Sequence, residues 1–67
     1  MIQLSVNGEL RRVDANASVN QLLESLELAN KRVAVEKNGE IVPRSRYANT
    51  SLVRGDRLEI VGAVGGG

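Results

Sequence analysis

A chain of 67 residues, 42% hydrophobic and 25% charged, has room for one small globular domain, and its lack of Phe and Trp requires an aliphatic core. Nine Lys and Arg residues against eight Asp and Glu residues leave a formal net charge of +1, with the basic residues scattered, which excludes a strong nucleic-acid-binding surface. The chain has no Cys and no His, so disulfides, thiolate or imidazole catalysis and the usual zinc sites are excluded, and stand-alone catalysis is not expected.

Apolar residues are also too dispersed for a membrane span or a secretion signal. The longest apolar runs are only two or three residues, whereas a transmembrane helix needs about 20. We therefore expect a cytoplasmic protein that does not engage a membrane.

The first predicted element is a β-hairpin. Residues 2–6 alternate between apolar and polar, which is the period of a strand with one buried face. Asn7-Gly8 favours a type I′ turn, and the return strand then runs from Glu9 to Val13. Leu10 and Val13 break strict alternation, which leaves room for a bulge or an early strand end.

An amphipathic helix follows. Ser18 and Gln21 have the spacing of a capping box, which predicts the helix start. Asn30 is a residue that tolerates the left-handed conformation closing many helices, and Lys31-Arg32 would then complement the negative end of the helix dipole. The residues of its apolar face recur at the i, i+3, i+4, i+7 spacing: Val19, Leu22, Leu23 and Leu26.

A second hairpin is predicted by residues 33–37, the Asn38-Gly39 turn and residues 40–42. The segment 44–51 is polar and irregular, consistent with a crossing loop or a short helical turn. Tyr47 within it is the only aromatic residue, and we expect it to anchor this segment to the core.

The last predicted strand covers residues 57–61 after a turn at Arg54-Gly55-Asp56. This tripeptide matches an adhesion motif, but Gly-Asp is ordinary turn chemistry and we interpret it as a turn. Within the strand, Leu58 and Ile60 share one face, which leaves Val61 as an apolar side chain on the solvated face of the sheet.

This element order predicts an α+β domain with one helix packed across a mixed sheet of four to five strands, which is similar to the ubiquitin-like β-grasp fold. The resemblance to that fold implies that the first and last strands run parallel at the centre of the sheet. The domain is expected to cover residues 1–61, and residues 62–67 are expected to form a flexible tail that ends in a diglycine. A glycine-rich tail can pass through narrow gaps, so it could thread its end into a partner's active site.

Several features spread along the whole chain point to one family. They are the 67-residue length, the Asn7-Gly8 turn, the helix Val19 to Leu26, the segment Asn38 to Arg44, the Gly55-Asp56 turn and the ending Val64-Gly65-Gly66-Gly67. Together they resemble the β-grasp sulfur carriers, and most closely the ThiS family, which serves thiazole synthesis in thiamine biosynthesis.

The resemblance implies a carrier that is acted upon rather than an enzyme. The carboxylate of Gly67 would be adenylated by a ThiF-type, E1-like adenylyltransferase and converted to a thiocarboxylate by a sulfur donor system, for delivery to a ThiG-type thiazole synthase. Gly65 and Gly66 would let the tail pass into the active site of the partner. The chain itself would hold no metal or cofactor, since ATP and Mg²⁺ would be used by the activating partner.

The same resemblance implies a partner-binding patch at Val61, Ala63 and Val64. Ser5 would lie opposite Val61, where other members carry a larger residue. Two alternatives stay open: the small subunit of molybdopterin synthase, which has the same fold and diglycine end, and a non-carrier β-grasp binding module, which would not need a free terminal glycine.

Overall fold

The computed structural model describes residues 1–62, and in this part of the chain it contains five strands, one α-helix and one 3₁₀-helix. The elements, in chain order, are β1 (Ile2–Val6), β2 (Glu9–Val13), α1 (Val19–Ser25), β3 (Val33–Lys37), β4 (Glu40–Val42), the 3₁₀-helix (Arg44–Asn49) and β5 (Arg57–Gly62).

The five strands form one mixed sheet in the order β2-β1-β5-β3-β4. The first and last strands, β1 and β5, pair in parallel near the centre, and the other neighbours are antiparallel. Helix α1 packs on one face through Val19, Leu22 and Leu23, which are all buried. The predicted α+β β-grasp architecture is confirmed.

Strand β2 contains no bulge and does not end early. It pairs with β1 residue for residue, from Ile2 opposite Val13 to Val6 opposite Glu9. Leu10 consequently lies on the face away from the helix, where 72% of its surface is exposed. An edge strand whose side chains are mostly solvated does not need strict apolar alternation, which is why the pattern was misleading here.

The predicted helix start is confirmed. Ser18 Oγ accepts a hydrogen bond from the Gln21 backbone N–H (3.2 Å), and Gln21 Oε1 accepts one from the Ser18 backbone N–H (2.9 Å). This reciprocal pair is a complete capping box, and it satisfies two backbone donors that the helix itself leaves without acceptors.

The predicted helix end at Asn30 is wrong, and Lys31-Arg32 do not lie in the last turn of α1. The helix ends at Ser25, and Glu27 takes the left-handed conformation with a φ of 62°. Glu27 N–H donates to Glu24 C=O (3.0 Å) and Leu28 N–H donates to Leu23 C=O (2.8 Å). These two bonds form a Schellman motif, which turns the chain so that Leu28 packs against the core.

The core is aliphatic, as composition requires, with Tyr47 at its margin. Tyr47 is 8% exposed, and its hydroxyl donates a hydrogen bond to the Val33 carbonyl at 3.3 Å. The predicted anchoring role of Tyr47 is confirmed. The most deeply buried side chains come from both layers: Leu4, Val19, Leu22, Leu23, Val35, Leu52 and Leu58.

Asp56 organises the turn before β5. It is 4% exposed, and its carboxylate accepts hydrogen bonds from the Val53 backbone N–H (2.9 Å) and the Asn38 side-chain amide (3.0 Å). Lys37 Nζ lies 3.8 Å from the same carboxylate. A buried, bonded aspartate is not available to a receptor, so the Arg54-Gly55-Asp56 tripeptide is a structural turn, as predicted.

Strand β5 continues one residue beyond its predicted end, because Gly62 still pairs with Val33 of β3. The first residue of the predicted tail therefore belongs to the sheet. Residues 63–67 lie outside the described part of the chain. In residues 1–62, no helix has the length and apolar character required to cross a membrane.

Candidate functional site

The sheet has one face covered by the helix and one open face. On β3 and β5, Ala34 lies directly opposite Val61 and Glu36 lies directly opposite Glu59. All four side chains lie on the open face. The remaining side chains on this face, assigned from the strand registers, are Gln3, Ser5, Leu10, Arg12, Ile41 and Arg57.

Val61 lies where the sequence predicted it, on the open face near the end of β5. It is 59% exposed, whereas its neighbours Leu58 and Ile60 on the other face are buried. Ala34 lies directly opposite Val61 and is also exposed. An apolar strand end that the helix does not cover is the kind of surface that can give a partner a desolvated anchor.

Ile41 and Ala34 also belong to this apolar surface, although neither was predicted as a site residue from the sequence. Ile41 is 65% exposed on the edge strand β4, opposite Glu36. Both positions could have been found by counting outward from the Asn38-Gly39 turn. A two-residue turn pairs 37 with 40 and 36 with 41, which puts Ile41 on the open face and leaves Val42 for the core.

Two glutamates lie next to the apolar residues. Glu36 and Glu59 are direct cross-strand neighbours, an arrangement that places like charges together. Within the described residues, salt bridges join Arg11 to Glu9 (3.9 Å) and Lys37 to Asp56 (3.8 Å). Neither glutamate of the pair forms a salt bridge there. The open face therefore carries a pair of like charges beside its apolar residues.

The predicted position of Ser5 opposite Val61 is wrong. The parallel register aligns Ser5 with Arg57 and Val6 with Leu58. Strand β1 ends at Val6, so no β1 residue reaches the level of Val61. Beyond this point the side chain of Asn7 contacts β5 instead, through two hydrogen bonds to the backbone of Ile60.

The other predicted site residues, Ala63, Val64, Gly65, Gly66 and Gly67, lie outside the described residues. What the structure does establish is where they start: they follow Gly62, the last residue of a strand that has neighbours on both sides. Within residues 1–62, no group of three or more His, Cys, Asp or Glu side chains is arranged to hold a metal ion. This part of the chain presents an exposed apolar surface and a strand that ends at Gly62.

A central parallel strand pair, a crossing helix and an open face beside the last strand define a ubiquitin-like β-grasp domain. A model of the ThiS family matches residues 4–67, nearly the whole chain. The chain belongs to the ThiS family.

Individual relatives agree with this assignment. Sulfur carrier protein ThiS of Bacillus subtilis is 40% identical over 65 residues, which are 96% of this chain and 98% of that protein. The crystal structure of the thiamine biosynthesis protein ThiS from Geobacter metallireducens has a TM-score of 0.84 and 36% identity, covering 98% of this chain and 100% of the other.

A relative of a different kind is a thiazole synthase from Paramagnetospirillum magneticum. It is 47% identical over 66 residues, which are 98% of this chain but only 20% of that protein. The chain therefore spans about a fifth of the length of this relative. A domain similar to the whole of this chain occurs within a protein named for thiazole synthesis.

Proposed function

We propose that the chain is a sulfur carrier for thiazole formation in thiamine biosynthesis. The observation that carries this proposal is the family match over residues 4–67, which extends through the glycines to Gly67. The Bacillus subtilis relative, which has nearly the same length, is named as a sulfur carrier. A carrier function also fits a domain whose described residues offer a surface and a strand end instead of a catalytic group.

The proposed chemistry takes place on the carboxylate of Gly67. A carboxylate oxygen attacks the α-phosphorus of ATP, pyrophosphate leaves, and an acyl-adenylate forms. A persulfide sulfur then attacks the acyl carbon and AMP leaves. Reduction of the resulting acyl disulfide by a thiol releases the thiocarboxylate. Adenylation is needed because a free carboxylate is a poor electrophile, and AMP is a good leaving group.

The partner would supply everything that this chain lacks for the reaction. A ThiF-type adenylyltransferase would bind ATP and Mg²⁺, and the open face around Val61, with Ala63 and Val64, would dock on it. Gly65 and Gly66 would let the chain pass into its active site, since glycine has no Cβ to collide with the walls. As a carrier between biosynthetic enzymes, the chain would act in the cytoplasm.

A ThiG-type thiazole synthase is the proposed acceptor of the sulfur. Support comes from the thiazole synthase of Paramagnetospirillum magneticum, in which a domain 47% identical to this chain is part of the same polypeptide. Joining a carrier to its acceptor raises their effective concentration, so such a fusion favours a functional pair. This observation favours the thiazole pathway over molybdopterin synthesis.

The intact mass of the chain tests the proposal. The chain is incubated with ATP, Mg²⁺, a sulfur source and a ThiF-type enzyme that is competent on a known carrier, beside a control without ATP. The expected result is a mass gain equal to the replacement of one oxygen by sulfur, located in the C-terminal peptide and absent without ATP. An unchanged mass would contradict the carrier function and favour a β-grasp binding module.

A second measurement separates the pathways. The thiocarboxylate form is offered either to a thiazole synthase or to the large subunit of molybdopterin synthase, and loss of the sulfur is followed by mass. Transfer to the thiazole synthase is expected. Transfer to the molybdopterin subunit alone would reassign the carrier.

A further inference from the structure

Two hairpin turns of identical sequence bond to β5, Asn7-Gly8 on the β1 side and Asn38-Gly39 on the β3 side. Asn7-Gly8 and Asn38-Gly39 have nearly the same backbone, with φ of 52° and 85° in the first turn and 54° and 87° in the second. A type I′ turn requires these positive φ values, but Gly or Asp in place of Asn would also adopt them. The turn geometry alone therefore does not explain what the two carboxamides do.

The carboxamide of Asn7 takes the place of a missing strand residue beside β5. Its Nδ2 donates to the Ile60 carbonyl (3.0 Å), and its Oδ1 accepts from the Ile60 backbone N–H (2.8 Å). The backbone N–H of Asn7 donates to the Leu58 carbonyl (2.9 Å). Because β1 ends at Val6, this side chain continues the pairing of β5 for two residues after the strand has stopped.

These bonds are the last lateral contacts of β5 on the β1 side that the described residues show. Gly62, where the described chain ends, lies two positions beyond Ile60. On the opposite side, β3 accompanies β5 as far as Gly62. The side chain of Asn7 therefore extends the two-sided support of β5 as far as Ile60.

The carboxamide of Asn38 also forms two hydrogen bonds, at the start of β5. Its Oδ1 accepts from the Arg57 backbone N–H (2.8 Å) and its Nδ2 donates to the Asp56 carboxylate (3.0 Å). Arg57 is the first residue of β5, five residues before Gly62. Asn38 is consequently a matched control, because it is the same residue type in the same kind of turn and bonds to the first residue of the same strand.

We infer that Asn7 is a positioning residue, which fixes the direction of β5 at Ile60, two residues before Gly62 and the C-terminal segment, residues 63–67, that follows it. With the strand held on both sides, the segment starts from one defined orientation, and less ordering remains to be done when Gly67 enters a partner's active site. This role rests on the proposed carrier function. It acts through β5, since Asn7 itself touches no reacting atom.

The first test needs no partner. Amide hydrogen exchange and ¹⁵N order parameters are measured for the wild-type chain, Asn7→Gly and Asn38→Gly, at a temperature where all are folded. Asn7→Gly should increase exchange at the Ile60 amide and lower the order parameters of Val61 and Gly62, whereas Asn38→Gly should increase exchange at Arg57 and leave Gly62 unchanged. A Gly62 as ordered in Asn7→Gly as in the wild type would overturn the inference.

The second test measures activation. Pyrophosphate release by a ThiF-type adenylyltransferase is recorded at saturating carrier, together with the Kd of the carrier without ATP. Asn7→Gly should release pyrophosphate roughly five- to a hundredfold more slowly, the range corresponding to two hydrogen bonds of ordinary net strength. Its Kd should stay within about twofold, because the open face is unaltered. Asn38→Gly should match the wild type in both.

The outcomes separate the two proposals. If the wild-type chain is never activated, the carrier function fails, and the role of Asn7 fails with it. If the wild type is activated and Asn7→Gly is as fast as Asn38→Gly, only the role of Asn7 is overturned. Should Asn7→Gly not fold, Asn7→Asp replaces it in both tests: it keeps the acceptor for Ile60 N–H, loses the donor, and should change the same quantities in the same direction.

Discussion

Val61 and Ala34 lie directly opposite each other on β5 and β3, on the face of the sheet that the helix leaves open. Their side chains are solvated although the residues just before and after Ala34 pack against the core. The apolar surface therefore includes the residue just before Gly62, after which the sequence continues to the proposed reactive carboxylate of Gly67.

Replacing Val61 with Ser should weaken docking on the activating enzyme without unfolding the domain. A half-exposed valine that becomes buried in an interface contributes about 1 kcal/mol, or roughly a fivefold change in Kd. Calorimetric titration against the ThiF-type enzyme measures this. Val53→Ser is the matched control, because Val53 is 57% exposed, close to the 59% of Val61, but lies outside the strands. Equal Kd values for the two variants would exclude Val61 from the interface.

Removing Gly67 should abolish or severely slow sulfur transfer and leave the fold intact. The deletion shortens the segment, so the carboxylate no longer reaches the adenylation site. Gly67→Ala should have a similar effect through the added Cβ, whereas Gly65→Ala, two residues further from the reactive group, should slow transfer less. Thiocarboxylate formation is followed by mass, and the fold by circular dichroism. A folded deletion variant with normal transfer would refute the carrier mechanism.

Asp56→Ala should be among the most destabilising single changes to a polar residue of this domain. It leaves Val53 N–H and the Asn38 amide without their acceptor and removes the neighbour of Lys37. The expected loss is about 2–3 kcal/mol in the free energy of unfolding, measured by urea denaturation. Asp14, the other aspartate, is exposed, and Asp14→Ala should stay within about 0.5 kcal/mol of the wild type. Similar losses at both positions would show that the Asp56 bonds do not stabilise the fold.

Glu27→Gly should stabilise the domain. Glu27 holds a φ of 62°, a conformation that costs a residue with a Cβ about 1–2 kcal/mol and glycine almost nothing. After the greater chain entropy of glycine is subtracted, a gain of about 0.5 kcal/mol or more remains. Glu24→Gly, inside α1, should lower stability by about 1 kcal/mol. The paired urea midpoints check the opposite signs, and a loss of stability at both positions would contradict the Schellman interpretation.

The features predicted correctly from sequence are those specified by neighbouring residues. Asn7-Gly8 and Asn38-Gly39 determine their own turns, and each turn sets the register of its hairpin. Ser18 and Gln21 define the helix start through bonds that span three residues. In each case, the residues that determine the local structure lie within the short segment that adopts it.

The helix end could not be predicted in this way. Its left-handed residue is Glu27 rather than the glycine or asparagine that usually marks such a position. Glu27 adopts this conformation because the turn brings Leu28 onto the core. Local sequence preference does not indicate this tertiary contact. The misplacement of Ser5 has a similar origin, since no turn links β1 to β5 and their parallel register depends on packing.

The same distinction between local and long-range features applies to the residues of the candidate site. The exposure of Val61 follows from alternation within one strand, and Ile41 could have been found by counting from a turn. The support that Asn7 gives to Ile60 joins residues 53 positions apart, and only the folded chain shows it. The role proposed for Gly67 rests on the family, because glycines by themselves do not specify a reaction.

The central place of β5 also determines how the domain responds to force. A pull on the C-terminal segment acts along the axis of β5, which is bonded to β1 on one side and β3 on the other. Because these bonds run across the strand, such a pull shears many of them at once, whereas a strand peeled from an edge loses them one at a time. A domain of this design should therefore resist unravelling when it is pulled by its C-terminal end.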